Sequence, residues 1–340
     1  MRKAVTVTDV ARHAGVSAMT VSKALNGRDR ISEETRARVL AAASELGYVA
    51  NAAARSLRGG RTDLLGLLVQ DLSNQYFAEI VRGASEAIRE RGLDLVLYTS
   101  SNDPERERQR VATLSSGVSD GLIIVAPHGS PGLLEQLQHS RVPVVLINAW
   151  NVDDLPTVNP ENRLGARAAT EHLLALGHRR IGFVTGRPDS PLSPERPDGV
   201  MRLQGYREAL VAAGVAFDPT LLHPGGLHLP LGREAGHDLL ALPDPPTAIF
   251  AANDFCAFGV IEAARERGLR VPEDLSVVGF DDVPMAGQVQ PALTTVHHPL
   301  HDLGHRAATL LLDLLADHAP ERHVELPSRL IVRDSTAPPA

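Results

Sequence analysis

Cysteine is almost missing from this 340-residue chain. The single Cys256 rules out an internal disulfide and a four-cysteine zinc site. It lies in the apolar run AANDFCAFG, where a thiol is expected to be buried and inert. Lysine is as scarce: only Lys3 and Lys23 occur, neither follows a glycine, and no phosphate-cradling GxxxxGK[ST] loop exists. A GxGxxG string is absent too, so nucleotide-driven chemistry has no support and no cofactor is expected. No apolar run reaches the roughly 18 residues of a membrane span, and the N-terminus lacks the apolar core of an export signal. A cytoplasmic protein with no membrane partner is the expectation. What is present, 43% hydrophobic and 22% charged residues, suffices for two good cores and a small accessory unit.

Charge is distributed unevenly. Residues 1–61 carry eleven Arg and Lys against five Asp and Glu, a balance of +6 that leaves −13 for the rest of a chain whose net charge is −7. A basic front end suits a polyanion, and an acidic body resists indiscriminate sticking to it. Within that front end, VTVTDVARHAGVSAMTVSKALNG reads as two short helices joined by a turn. Thr6 or Thr8 can cap the first, which buries Val7, Val10, Ala11 and Ala14 until Gly15 breaks it. Ser17 can cap a second helix, 18 to 26, in which Val21 and Leu25 share one face and leave Ala18, Met19, Ser22 and Lys23 on others. Short side chains at the start of a helix allow close approach to base edges in the major groove, which Ala18 and Met19 satisfy. Lys23 can donate to a guanine edge or a phosphate, while Thr6, Ser17, Thr20, Ser22 and Asn26 offer groups for phosphate oxygens. A third helix is expected from Ser32 through Val39, Leu40 and Ala43 to a stop at Gly47, with Glu33 and Glu34 at its positive end. YVANAAARSLRGGRT then reads as a short helix or hinge before Gly59 and Gly60.

These runs, TVTDVARHAGVSAMTVSKALNG, SEETRARVLAAASELGYVAN and AARSL, resemble the lactose-repressor (LacI/GalR) family of bacterial transcription regulators, and the resemblance extends over nearly the whole chain. The resemblance implies a hinge helix, 51 to 62, that folds on operator DNA and drives a leucine into the minor groove. Leu57 holds that position, with Ala54 beside it and Asn51 at the cap. An apolar wedge of this kind unstacks a base step, a cost recovered through added contacts.

From Asp63 onward, apolar strand-like runs at 64–69, 93–99, 121–126 and 142–148 alternate with helical patterns, and 180–186, 247–253 and 275–282 form a second series. Helices are expected at 78–91, 163–176 and 201–213. The fold class is therefore a small all-α helix-turn-helix head plus an α/β body of two parallel-sheet subdomains, similar to periplasmic binding proteins. The expected boundaries are 1–50 for the head, 51–62 for the hinge, 63–160 with 292–318 for one lobe, and 161–291 with 319–340 for the other.

In such sheets ligands sit beyond the carboxyl ends of strands, here in the cleft between lobes. Polar residues gather there: Asp71 to Phe77, Asn148, the AAND pair Asn253 and Asp254, and the GFDD pair Asp281 and Asp282, with Arg202 opening a helix. The resemblance implies effector contacts at Tyr76, Phe77, Asn148, Asn159, Arg202, Asn253 and Asp281. An aromatic face with charged and amide groups suits a polyhydroxylated ring. Counting back from Gly236 puts Leu231 where some relatives have a second stacking aromatic, which disfavours a purine.

Three rival readings are weaker. GVSDG fits the GxSxG string of a serine nucleophile, but Ser119 follows a helical pattern and precedes a strand, the reverse of the required order. His301 and His305 are four apart without the glutamate of HExxH, so no metal is expected. A solute-binding protein for transport would share the body but not the basic head. The reading is thus a non-enzymatic homodimeric regulator, a repressor of carbohydrate-related genes. Its partners are double-stranded operator DNA with an inverted repeat and a small effector, a sugar or alternatively a nucleobase.

Overall fold

The computed structural model describes residues 5–25, 31–48, 61–127, 132–185 and 197–340. Asn26, Asn51, Ala54 and Leu57, and with them the hinge helix, lie outside the described residues. The chain divides into two compact units, 1–62 and 63–340.

The first unit is three helices: α1 (Val7–Ala14), α2 (Ala18–Leu25) and α3 (Glu33–Glu45). Thr6, not Thr8, caps α1 in a reciprocal box, its hydroxyl accepting from the Asp9 amide while its own amide donates to Asp9 Oδ2 at 2.9 Å. Gly15 ends α1 at φ 64°, in the left-handed region that favours glycine. Val10, Val21 and Val39, one from each helix, are fully buried at the centre of the core. Val7 and Leu25 are half-buried, and Leu40 is 48% exposed because Val39, Ala42 and Ala43 fill the inward face of α3. Thr6→Ala should cost about 1 kcal/mol through loss of the cap. Chemical denaturation of the isolated first unit would register it.

In the second unit, one six-stranded sheet runs β11-β5-β4-β3-β1-β2, all parallel, from β1 (Leu64–Val69), β2 (Asp94–Thr99), β3 (Gly121–Val125), β4 (Val144–Ile147), β5 (Thr157–Pro160) and β11 (His323–Leu326). The other runs β12-β10-β9-β8-β6-β7, from β6 (Ile181–Thr185), β7 (Leu222–Pro224), β8 (Ala248–Ala251), β9 (Ser276–Asp281), β10 (Thr294–His297) and β12 (Arg329–Ile331); only β12 is antiparallel to its neighbour. Near-continuous apolar strands such as LLGLLV are buried because helices cover both faces.

Two expected lobe boundaries need correction. Residues 294–297 belong to the second sheet, not to the first lobe, and 323–326 belong to the first sheet, not to the second lobe. The chain returns from β9 to add one more strand before it crosses at His298 and Pro299, and it crosses again between β11 and β12.

After the crossing, α11 (Leu300–Leu315) packs on α4 (Gln75–Glu90) at glycine-to-backbone distance. A Cβ at Gly83 would lie 1.9 Å from the His301 carbonyl oxygen, and one at Gly304 would lie 1.9 Å from that of Ile80. Gly83→Val should therefore destabilise the body by about 3 kcal/mol or more, since neither backbone can yield without separating the helices. Thermal unfolding would show it.

The C-terminal tail is held on the second sheet by His178. Its ring lies 2.8 Å from Thr247 Oγ1, 3.1 Å from Ser276 Oγ and 2.9 Å from the Ala337 carbonyl. Burial depresses its pKa, as it does for His172 and for the fully enclosed His298. A depressed histidine binds its proton later in the folded than in the unfolded state, so stability is retained above about pH 6.5 and lost as pH falls below it. His301 works the other way, raised by its bond to Glu86, but it is partly solvated and screened. Asp254, its carboxyl raised by burial, acts in the same direction as His301, so the histidine contribution is read against a variant: the melting temperature of the wild type should fall relative to that of His178→Gln as pH drops from 7.5 to 5.5.

Candidate effector cleft and nucleic-acid interface

Each wall of the cleft is the end of a strand. After β1, Gln70 donates to the Ala126 carbonyl at 2.5 Å, and Asp71 is held by the Ser73 hydroxyl and amide, which push its carboxyl below the usual range. Asn74 then caps α4 by accepting from the Tyr76 amide, which sets Tyr76 and Phe77 on the cleft wall with their rings perpendicular and 5.1 Å apart. After β4, Asn148 turns at φ 58°. From the other lobe come Asn253 at the end of β8, Asp281 at the end of β9, and Asp198 and Arg202 on α8 (Pro197–Ala212). The space these residues enclose is about 580 Å³, counting the part open to solvent.

Arg202 is the most heavily bonded of them. Its Nε donates to Asn162 Oδ1 at 2.7 Å, its Nη1 donates to the Ala252 carbonyl, and its Nη2 stands 3.8 Å from Asp281 Oδ1. The guanidinium lies over the Phe280 ring at 4.1 Å. Asp281 sits at φ 109°, and its Oδ1 accepts no hydrogen bond although it is buried. Asn148 Oδ1 is in the same state, while its Nδ2 reaches Asp198 Oδ2 at 3.5 Å. Buried acceptors of this kind are rare and costly, and a ligand that brings donors would satisfy them. His298 stands behind, with Nδ1 3.4 Å from Asp281 Oδ1 and its ring edge-on to Phe280.

The neighbouring acids have structural roles. Asp254 accepts from Thr295 Oγ1 at 2.5 Å and from the Val283 amide at 2.8 Å, and full burial beside Asp281 raises its pKa. Asp282 binds Arg333 Nη2 at 2.6 Å and His297 at 2.9 Å. In GFDD and AAND, then, one member of each pair faces the cleft and the other pins the fold.

Six of the seven expected effector positions line the cleft: Tyr76, Phe77, Asn148, Arg202, Asn253 and Asp281. Asn253 does so with its amide already engaged, capping α10 (Asp254–Glu266) and donating to the Leu227 carbonyl at 3.0 Å. Asn159 does not line it. Both ends of its amide bind the Ala149 backbone, at 2.9 and 2.7 Å, so it fixes the turn that aims Asn148. Leu231 packs at Gly226, and Leu227 and His228 occupy that wall instead. Sequence reasoning also missed Asn102 and Asp198. Asp198 had a signal, lying one helical turn before Arg202 and so on the same face.

In the first unit, Ser17 caps α2, its Oγ accepting from the Thr20 amide at 3.1 Å and lying 2.9 Å from Thr20 Oγ1. Ala18, Met19 and Lys23 are exposed on α2, as is Thr6 ahead of α1, whereas Thr20 and Ser22 are half-buried. Met19 is 69% exposed, unusual for a large apolar side chain, and it begins the helix expected to read DNA. Cys256 is fully buried, its thiol pushed up to about 12. Ser119 is buried in the turn before β3 and donates to the Leu114 carbonyl, a structural position. No described helix is long and apolar enough to cross a membrane.

Residues 6–51 match the model for "Bacterial regulatory proteins, lacI family", and residues 170–336 match that for "Periplasmic binding protein-like domain". The transcriptional regulator DegA of Bacillus subtilis is 34% identical with 98% of each chain covered, and CelR of Thermobifida fusca is 37% identical, covering 98% of this chain and 99% of its own. Among solved structures, the lac repressor dimer bound to operator and the anti-inducer ONPF superposes with a TM-score of 0.85 at 30% identity, covering 98% of this chain and 100% of that one. A CelR–cellobiose complex gives 0.73 at 35% identity, with 97% and 99% covered. With a three-helix first unit, two parallel-sheet lobes around a polar cleft and relatives matched end to end, the chain belongs to the lacI family of bacterial regulatory proteins and is a transcription regulator with an effector-binding body.

Proposed function

We propose that this regulator is a cytoplasmic repressor of carbohydrate-related genes, binding an inverted-repeat operator as a homodimer and responding to a sugar held in the cleft. The supporting observation is the pair of buried acceptors, Asp281 Oδ1 and Asn148 Oδ1, lining one cleft with the Tyr76 and Phe77 rings. Adjacent hydroxyls of a sugar donate to such oxygens, and its C–H face rests on aromatic carbon. A regulator named CelR that is similar along its whole length has been solved as a complex with cellobiose.

On the DNA side, Ala18, Met19 and Lys23 read base edges. Thr6, Ser17, Thr20, Ser22 and Asn26 contact phosphates, and Asn51, Ala54 and Leu57 form the hinge contacts in the minor groove. Operator and effector are linked, because a ligand that prefers one lobe arrangement shifts the population able to fold hinges on DNA. Thermal-shift screening of the full chain against sugars and nucleobases tests this reading, since a tight ligand raises the melting temperature by mass action. A sugar is expected to do so; stabilisation by nucleobases alone would contradict it.

A further inference from the structure

Resting on the sugar reading above, we infer that the effector is an uncharged saccharide, and that phosphorylated sugars and sugar acids are rejected. Asp281 Oδ1 and Asn148 Oδ1, buried on the described walls without a hydrogen bond, are both acceptors. A hydroxyl satisfies either by donating its proton. A phosphate or carboxylate has only acceptors to offer and would set oxygen against oxygen.

Charge points the same way. Among the described residues the cleft is lined by three carboxylates, Asp71, Asp198 and Asp281, and one arginine, Arg202. That arginine is committed: Nε to Asn162, Nη1 to the Ala252 carbonyl, Nη2 beside Asp281, and its face on Phe280. An anionic ligand group needs free guanidinium or ammonium donors, or a helix start turned toward it. The capping positions of α4 and α10 are taken by Asn74 and Asn253 side chains, and helix Leu229–Leu240, whose start at His228 has no side-chain cap, loses one amide to Pro230 and spends those of Leu231 and Gly232 on the His228 carbonyl. His228 is the other basic group on the lining, and it is exposed at the mouth beside Asp71, which would take its charge if protonated. His298 is enclosed behind Asp281 and held toward its neutral form by burial. Among the described residues, an anion entering the cleft would meet the Asp71 and Asp281 carboxylates in a partly dry space, a repulsion of the order that weakens binding tenfold or more.

The test is a matched panel on the full-length protein, read by melting temperature and by titration calorimetry. Glucose, galactose, fructose, cellobiose and maltose form one set. Glucose 6-phosphate, fructose 6-phosphate, glucuronate, galacturonate, cellobiose 6′-phosphate and maltose 6′-phosphate form the second, and adenine and hypoxanthine the third. At least one neutral sugar should bind, its charged counterpart should bind at least about tenfold more weakly, and its affinity should be insensitive to ionic strength. Asp281→Asn, whose apo melting temperature is checked first, should lose at least about tenfold in affinity for that sugar because a donor replaces an acceptor. A charged sugar binding as tightly as its neutral counterpart would overturn the inference and leave the sugar reading standing. Binding by the third set alone, or by no member of the first two, would overturn both.

Discussion

Arg202→Ala is expected to abolish the effector response and to destabilise the body by about 3–5 kcal/mol, the cost of leaving a buried charge without its partner. Arg202 is 5% exposed and joins α8 to Asn162, to the Ala252 carbonyl, to Asp281 and to the Phe280 ring. Its removal strands a buried carboxylate, an amide oxygen and a carbonyl oxygen together. Arg202→Lys should rescue little, since one ammonium cannot reproduce the planar fork that serves several acceptors. Asp281→Asn keeps the shape but takes the carboxylate from the buried guanidinium, so it should also lower the melting temperature, by less than Arg202→Ala because the Asn162 and Ala252 oxygens still accept from Arg202, while abolishing the response. Thermal unfolding of the three variants, with and without effector, measures this. A wild-type melting temperature for Arg202→Ala would contradict the role assigned to the arginine.

Met19→Glu should reduce specific operator affinity by about 10- to 100-fold, the range for losing one base contact, with phosphate repulsion added. Met19 is 69% exposed and absent from the core built on Val10, Val21 and Val39, so stability should change by less than about 0.5 kcal/mol. Effector binding should be untouched, because Met19 belongs to the first compact unit. Unchanged affinity on fluorescence anisotropy would show that α2 does not read bases.

Much of this was legible in the sequence where hydrophobic period and turn chemistry coincide. The alternation on α4, the LLGLLV and GLIIV strands and the Thr6 and Ser32 caps follow from residue type and spacing. The strands that escaped notice carry weak local signals. β11 alternates exposed and half-buried residues at a sheet edge, β7 and β12 have three residues each, β10 has four, and β5 is four residues including a proline and an asparagine. Pairing with distant partners makes them strands, and that is invisible locally. The lobe boundaries slipped for the same reason. At the site, strand-end position picked out Asn148, Asn253 and the Asp281–Asp282 pair, and the family resemblance chose Asp281 and added Asn159. Strand-end position could not separate Asn159, whose amide serves the Ala149 backbone, from a residue free to meet a ligand. Nor could it tell which carboxylate in GFDD faces the cleft, a choice made by Arg333 and His297 holding Asp282.

The most direct test is equilibrium binding of the full-length protein to its own promoter's inverted repeat and to a shuffled duplex of equal length, at physiological ionic strength, before and after addition of the sugar found by screening. The repeat should be preferred by about 10³-fold or more, and the sugar should change affinity for it without changing affinity for the shuffled duplex in proportion. Equal binding to both duplexes, unmoved by the sugar, would contradict a sugar-responsive operator reader.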